Sequence, residues 1–213
     1  MNSTSWNEIK WIFEQDGSLR DIYVQDVGLE DWEKVIEYLN SNNQIRFSIG
    51  GESVSNVIDK DYVVSYLSDN SGEMLCPYLT IQIDNLSINS YFFLVDQIEF
   101  DIDPKEVNSL NNYNKIENFM RSISKLLGTQ ITLTGENTPE FPLIKIHERN
   151  GLNKILTQKE ANKLNQEQKS IINTISIIKA KIMMKFFPNR FKDRVLKSAT
   201  EPYKSTKKNK NVW

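Results

Sequence analysis

The sequence predicts an α+β fold, in which a mainly antiparallel sheet is packed by two helices and followed by a long C-terminal helix and a basic tail. Apolar and polar residues alternate as in strands through residues 79–103, with only short polar breaks. Helical spacing of apolar residues marks 29–40 and 113–127. Because such short breaks join antiparallel neighbours, we expect the strands within 79–103 to form a meander.

Three segments make up this predicted meander. Every second residue is apolar in 79–83 and again in 97–103, which predicts strands with one buried face. The segment between them, 88–95, is apolar on both faces. We therefore expect this middle segment at the centre of the sheet, covered on both sides.

The N-terminal residues predict a hairpin and a helix. Two β-rich runs, 8–15 and 19–25, flank Asp16-Gly17, a pair that tolerates the positive φ angles of a hairpin turn. The helix predicted at 29–40 has acidic residues in its first turn, where the helix dipole favours them. A short strand at 45–49 follows. The run YVVSYL at 62–67 fits either a strand or a helix.

The second half of the chain predicts elements with clear ends. Gly128 should end the helix at 113–127, and strands are expected at 130–134 and, as the last strand, at 143–146. Thr157 to Glu160 forms a capping box that opens a helix running to about Phe187, before Pro188. The chain is accordingly divided into an acidic α+β domain (1–150), a long amphipathic helix (151–188) and a basic, partly disordered tail (189–213).

The composition leaves little material for cofactor chemistry. Cys76 is the one cysteine and His147 the one histidine, so an internal disulfide, a multi-cysteine metal site and histidine-based catalysis are not expected. Both residues are interpreted as structural. No stretch is long and apolar enough to span a membrane, and the N-terminus lacks a secretory signal. These features predict a cytoplasmic protein without a cofactor, although a weak Mg²⁺ or Ca²⁺ site would need neither residue.

Charge is divided unevenly along the chain. Residues 1–150 contain 24 Asp and Glu against 11 Lys and Arg, a difference of −13. Residues 151–213 contain 4 against 15, a difference of +11. Such asymmetry indicates a charged partner or docking of one half on the other.

Acidic residues in the predicted helix at 29–40 and the predicted strand at 97–103 are candidates for binding a partner. The helix also lies near Asp21 and Asp26 in sequence. Together these carboxylates would form a field of negative potential that speeds capture of a cationic protein. The strand carboxylates could instead hold a divalent metal, act as an acid/base pair, or simply face solvent. The candidate residues are Glu30, Asp31, Glu33, Glu37, Glu99, Asp101 and Asp103.

The basic C-terminal segment supports three interpretations. Its Lys and Arg residues alternate with Met and Phe, so it could lie on an anionic membrane, contact nucleic-acid phosphates, or pack on the acidic domain of its own chain. The apolar seam at 161–182 could also form a homodimer contact. The candidate contact residues are Lys181, Lys185, Arg190, Lys192 and Arg194.

A family resemblance adds a functional expectation. The runs SLRDIYVQDVGLEDWEKVIEYLN (18–40) and ENTPEFPLIKI (136–146), with the sheet and helix between them, resemble small α+β immunity proteins encoded beside bacterial polymorphic or contact-dependent toxins. The resemblance is a pattern of elements over roughly residues 5–160, without a catalytic fingerprint and without the basic C-terminal helix and tail. It implies a non-enzymatic cytoplasmic protein that neutralises a toxin by binding it.

Three functional hypotheses follow. The first is an immunity protein whose acidic domain occludes the active site of a basic toxin, such as a nuclease. The second is an adaptor that binds nucleic acid or an anionic membrane through residues 151–213. The third is a metal-dependent hydrolase that uses Glu99, Asp101 and Asp103.

Overall fold

A nine-stranded sheet forms the body of the protein in the computed structural model, which describes residues 4–51, 54–164 and 166. The strands are β1 (Arg20–Gln25), β2 (Gln44–Ile49), β3 (Val54–Ser55), β4 (Pro77–Ile83), β5 (Leu86–Ser90), β6 (Gln97–Ile102), β7 (Ile131–Gly135), β8 (Pro142–His147) and β9 (Leu152–Ile155). Their order in the sheet is β3-β2-β4-β5-β6-β1-β7-β8-β9, and every neighbouring pair is antiparallel. The predicted antiparallel sheet is therefore confirmed.

Four α-helices with both ends in the described part of the chain accompany the sheet. They are α1 (Trp6–Ile9), which continues as a 3-10 helix (Lys10–Phe13), α2 (Leu29–Asn42), α3 (Lys60–Ser68) and α4 (Leu110–Leu127). The two long helices, α2 and α4, confirm the helices predicted from apolar spacing. Gly128 ends α4 in the left-handed conformation at φ 69°, as the sequence predicts. The ambiguous run at 62–67 lies within α3, which Asp59 caps by accepting a hydrogen bond from the Tyr62 amide.

The sheet has one apolar and one polar face at its centre. Apolar residues of β1 and β6 pack into the same core as the buried stripes of α2 and α4. Alternation along each strand then places the intervening polar residues on the opposite face. The carboxylates of β1 and β6 therefore lie on the face of the sheet that the two long helices do not cover.

The predicted N-terminal strand is wrong. Residues 8–15 lie mostly in α1 and the 3-10 helix that follows, and the Glu8 carboxylate accepts hydrogen bonds from the amide and hydroxyl of Ser5 at 2.8 and 2.9 Å. Helical turns bury Ile9, Ile12 and Phe13, whereas the strand pattern would bury Trp11 and leave Ile12 on the opposite face. The second run of the predicted hairpin is β1, which pairs instead with β6 and β7.

The prediction that all of 88–95 crosses the centre of the sheet is also wrong. β5 ends at Ser90, and the backbone turns at Phe92, whose φ is 55°. The Phe92 ring is buried, but the next three residues are exposed on a connection between β5 and β6. Apolar content alone did not distinguish a strand buried on both faces from an exposed apolar loop.

The sheet also continues past the strand predicted to be its last. β9 pairs with β8 and extends the sheet to Ile155. Residues 1–161 form one compact unit of the chain and residues 162–213 form another. No helix in the described part combines the length and apolar character needed to cross a membrane.

The predicted capping box at the start of the C-terminal helix is present. The Thr157 amide and hydroxyl each donate to the Glu160 carboxylate at 2.8 Å, and helical residues begin at Gln158. Apart from its first residues, the predicted seam at 161–182 lies outside the described residues. The basic residues Lys181, Lys185, Arg190, Lys192 and Arg194, and the predicted tail, lie outside them as well.

Candidate functional site

The structure separates six of the seven predicted partner-binding carboxylates into two groups. Glu30, Asp31, Glu33 and Glu37 lie on α2, which covers the apolar face of the sheet. Glu99 and Asp101 lie on the opposite face of β6. The two groups do not form one continuous acidic surface.

Lysines of the same domain pair with most of the α2 group. Lys34 lies 2.9 Å from Asp31, and Lys60 lies 2.8 Å from Glu37 and 3.7 Å from Glu33. The hydrogen bond to Glu37 raises the pKa of Lys60, which keeps that lysine charged. Of the four, only Glu30 has no salt bridge within the described residues. The α2 group therefore presents less net negative charge than its sequence indicates.

Asp103 leaves the predicted set because β6 ends one residue before it. Its carboxylate accepts a hydrogen bond from the Lys105 amide at 2.9 Å and lies 3.9 Å from the Lys105 ammonium group. These contacts hold a turn after the strand, a common use of Asp in loops. Asp103 thus has a local structural partner and does not join Glu99 and Asp101.

A third carboxylate, Asp21 of β1, joins Glu99 and Asp101 instead. The register of β1 and β6 places Asp21 opposite Asp101 and Tyr23 opposite Glu99. Directly opposed residues on one face of a sheet have Cβ atoms about 4.5–5.5 Å apart. We refer to Asp21, Glu99 and Asp101 as the carboxylate cluster.

Neutral donors hold the carboxylate cluster in place. The Tyr23 hydroxyl donates to Asp21 Oδ2 at 2.9 Å and lies 3.4 Å from Glu99 Oε1. Asn137 donates its backbone N–H to the same Asp21 oxygen at 2.6 Å, and Asn89 Nδ2 donates to Asp101 Oδ1 at 2.9 Å. No Lys or Arg of the described chain forms a salt bridge with any of the three carboxylates.

Burial makes the negative charge of this cluster costly. Asp21 and Asp101 are 3% and 7% exposed, and loss of hydration raises the pKa of both carboxyl groups. Burial also raises the pKa of Glu99, and the Asp21 charge raises it further. The Tyr23 phenol has a raised pKa for the same reasons, so it remains a hydrogen-bond donor at neutral pH. A cation bound here would relieve this cost, because an opposite charge favours the ionised carboxylates.

An aromatic row continues the polar face beyond the cluster. The Tyr78 hydroxyl donates to Asn89 Oδ1 at 2.8 Å, which links it to Asp101 through the Asn89 amide. The ring of Tyr91 lies 5.0 Å from Tyr78 and 5.3 Å from Phe93, and the latter pair is stacked. Burial and the Asp101 charge raise the pKa of Tyr91. Aromatic faces beside carboxylates are a favourable environment for Lys and Arg side chains.

Neither the cysteine nor the histidine belongs to a recognisable reactive group. The exposed Cys76 thiol lies 3.5 Å from the Pro77 carbonyl oxygen and 3.6 Å from that of Tyr91. His147 ends β8, and its buried Nδ1 has no hydrogen-bond partner within the described residues. No group of three or more His, Cys, Asp or Glu side chains among the described residues is arranged to hold a metal ion.

Comparison with known proteins gives no relative: no family model, curated protein sequence or solved structure matches the chain. The sequence identified Glu99 and Asp101 as candidates but did not place Asp21 beside them. Asp21 lies beside them because β1 pairs with β6, a strand more than seventy residues later in the sequence.

Proposed function

We propose that this chain is a non-enzymatic binding protein that captures a cationic protein partner. The observation that carries the proposal is the carboxylate cluster, in which three acids on adjacent strands have no Lys or Arg counter-ion within the described residues. The net charge of −13 over residues 1–150 would attract such a partner from a distance. Once bound, a lysine or arginine of the partner would lower the raised pKa values of the cluster.

The most specific form of the proposal is a cytoplasmic immunity protein of a bacterial toxin system, in which the partner is a basic toxin such as a nuclease. The resemblance of residues 18–40 and 136–146 to immunity proteins supports this form. An acidic surface that covers the cationic substrate site of a nuclease would inhibit it without any chemical step. Electrostatic steering would make capture fast, which suits a protein that has to act before its toxin does.

Co-expression tests this proposal directly. The full chain is expressed with the product of the adjacent gene, and cell survival and complex formation on gel filtration are measured. We expect protection of the cells and a co-eluting complex. Toxicity that persists in the presence of the full chain, together with separate elution of the two proteins, would contradict the immunity function.

The adaptor hypothesis rests on different residues. Its basis is the +11 charge of residues 151–213 and the basic residues from Lys181 to Arg194, and the latter lie outside the described part of the structure. It stays a sequence-based alternative. Binding of nucleic acid or anionic vesicles that disappears when these residues are removed would favour it over capture of a basic protein.

A further inference from the structure

An exposed apolar surface lies where β5 and β6 are connected. Phe93 is 59% exposed, Leu94 50% and Val95 38%, and Leu75 of the α3–β4 connection is 58% exposed. Exposure of apolar side chains to water is unfavourable, so an exposed group of this kind commonly marks a surface that binds another molecule. We call residues 93–95 the apolar loop.

The position of the apolar loop is fixed by the protein beneath it. The buried Phe92 ring lies 5.2 Å from Trp32 and 6.4 Å from Phe47. Trp32 donates its indole N–H to the Leu94 carbonyl oxygen at 3.2 Å, and the Val27 amide donates to the Asp96 carbonyl oxygen at the same distance. Phe92 has a φ of 55°, which an aromatic residue rarely adopts and which surrounding contacts must maintain. The loop is thus held rigidly with its apolar side chains outward.

A cleft of about 190 Å³ opens beside the apolar loop. Five of its seven lining residues are apolar or aromatic and one is a carboxylate, although polar atoms form the larger part of the exposed wall. An apolar cavity of roughly 150 Å³ accommodates benzene, so this cleft has room for a single large apolar side chain. Its lining residues are Tyr66, Leu67, Asp69, Gly72, Met74, Phe92 and Phe93.

The charged residues that line the cleft or lie next to its lining residues in sequence are acidic. Between Lys60 and Lys105 the sequence contains eight Asp and Glu and no Lys or Arg. Asp69 lines the cleft, Glu73 lies between two lining residues, and Asp96 follows the apolar loop. Lys34 lies on α2, which contacts Phe92 through Trp32, but its charge is already paired with Asp31 at 2.9 Å. An acidic surround of this kind favours a cationic occupant and disfavours an anionic one.

We propose that the cleft and the apolar loop anchor a cationic amphipathic segment of a protein partner, which inserts one apolar side chain into the cleft while its lysines or arginines face the surrounding carboxylates. This inference rests on the proposed function and deepens it, because it assigns the partner's anchor to residues that sequence analysis did not select. The aromatic row from Phe93 through Tyr91 to Tyr78 makes the anchor continuous with the carboxylate cluster. One partner could therefore contact both.

A defined peptide probe tests this assignment on the full chain. The probe is a fluorescein-labelled 18-residue helical peptide with leucines on one face and lysines on the other. One control peptide replaces every leucine with serine at the same charge, and another replaces every lysine with glutamate. We expect fluorescence anisotropy to report binding of the Lys/Leu peptide only, weakening as salt concentration rises.

Matched variants locate the binding. Phe93→Ser and Glu73→Gln change the proposed anchor, whereas Phe141→Ser and Glu140→Gln make the same changes at an exposed Phe and Glu of the β7–β8 connection. Phe93→Ser should weaken binding of the Lys/Leu peptide at least tenfold, as loss of a central anchor does. Glu73→Gln should weaken it about twofold, and both control variants should leave it unchanged. Leu94→Ser provides a second test should Phe93→Ser fail to fold by circular dichroism.

Several results would overturn the assignment. These are no binding of the Lys/Leu peptide, equal binding of the Lys/Ser peptide, or equal loss in Phe93→Ser and Phe141→Ser. A dimer of the full chain that dissociates in Phe93→Ser would assign the surface to a second copy instead. The proposed function fails separately: if Phe93→Ser still protects cells in the co-expression assay, only the anchor is wrong, and if the wild-type chain never protects, the immunity function is wrong.

Discussion

Asp21 and Asp101 face each other across two paired strands, and both are almost fully buried. Burial of two carboxylates is unfavourable where the described residues supply only neutral donors, because no Lys or Arg among those residues offsets the loss of hydration and the mutual repulsion. Hydrogen bonds donated by the Asn89 side-chain amide, the Asn137 backbone N–H and the Tyr23 hydroxyl reduce this cost without removing it. The cluster therefore reduces the stability of the free protein at neutral pH, as functional sites often do.

This cost predicts a specific effect of pH on stability. The folded-state pKa of Asp101 is raised above its ordinary value of 3.8, so the folded protein binds more protons than the unfolded chain above about pH 4. The contribution of Asp101 to the free energy of unfolding is thus greatest at low pH and falls as pH rises through the raised pKa. The charges of Asp21 and Glu136 raise the pKa of Asp101 further, and Asp21 and Glu99, whose own pKa values are raised, contribute to the same dependence.

Asp101→Asn should remove this contribution. The variant keeps an acceptor for Asn89, so its stability relative to the wild type should rise between about pH 4 and pH 7, by on the order of 1 kcal/mol. Urea unfolding at several pH values measures the difference. Asp103→Asn is the matched control, because Asp103 lies on the surface outside the cluster, and it should show no such rise. A relative stability of Asp101→Asn that falls with pH would contradict the account.

At the scale of elements, the N-terminal segment shows how local hydrogen bonding decides between patterns. Ser5 and Glu8 form a reciprocal cap that starts helical turns, and these turns bury Ile9, Ile12 and Phe13. Alternation of Ile9, Trp11 and Phe13 indicated a strand, but the Ser5-to-Glu8 spacing is a helix-start motif and favoured the observed structure.

Ile12→Ala distinguishes the two arrangements by experiment. Ile12 is 1% exposed in the structure, whereas a strand would place it opposite the buried face. The substitution should lower the free energy of unfolding by about 2–5 kcal/mol, through lost burial and the cavity left behind. Lys10→Ala, at an exposed neighbouring position, should change it by less than about 0.5 kcal/mol. Equal, small effects of both changes in chemical denaturation would contradict the buried helical segment.

Whether the sequence predicts an element depends on whether local periodicity or contacts distant in sequence determine it. The helices α2 and α4 and the strands β4 and β6 follow from local periodicity, so the sequence predicted their existence. Local periodicity does not predict the exposure of Phe93 and Leu94, because the turn at Phe92 depends on packing against Trp32 and Phe47. β9 was missed because its residues are mostly exposed and lack alternation.

At the scale of the whole molecule, strand order accounts for what the sequence could not supply. β1 lies between β6 and β7, and three strands separate it from β2, the next strand in the chain. This arrangement brings Asp21 to Glu99 and Asp101, and local patterns do not specify it. The charge difference between residues 1–150 and 151–213 was visible in the sequence, whereas its distribution over two faces of the domain was not. The proposed binding surface is therefore the polar face of the sheet and not α2.

The proposed binding function requires that no cation of the free protein lies beside the carboxylate cluster. Carbon-13 NMR titration of the side-chain carboxyl groups of Asp21, Glu99 and Asp101 in the full chain measures this directly. We predict pKa values above the ordinary 3.8 for both aspartates and above 4.5 for the glutamate. Values at or below these numbers would show that the chain already neutralises the cluster, and would contradict its assignment as the surface that captures a cationic partner.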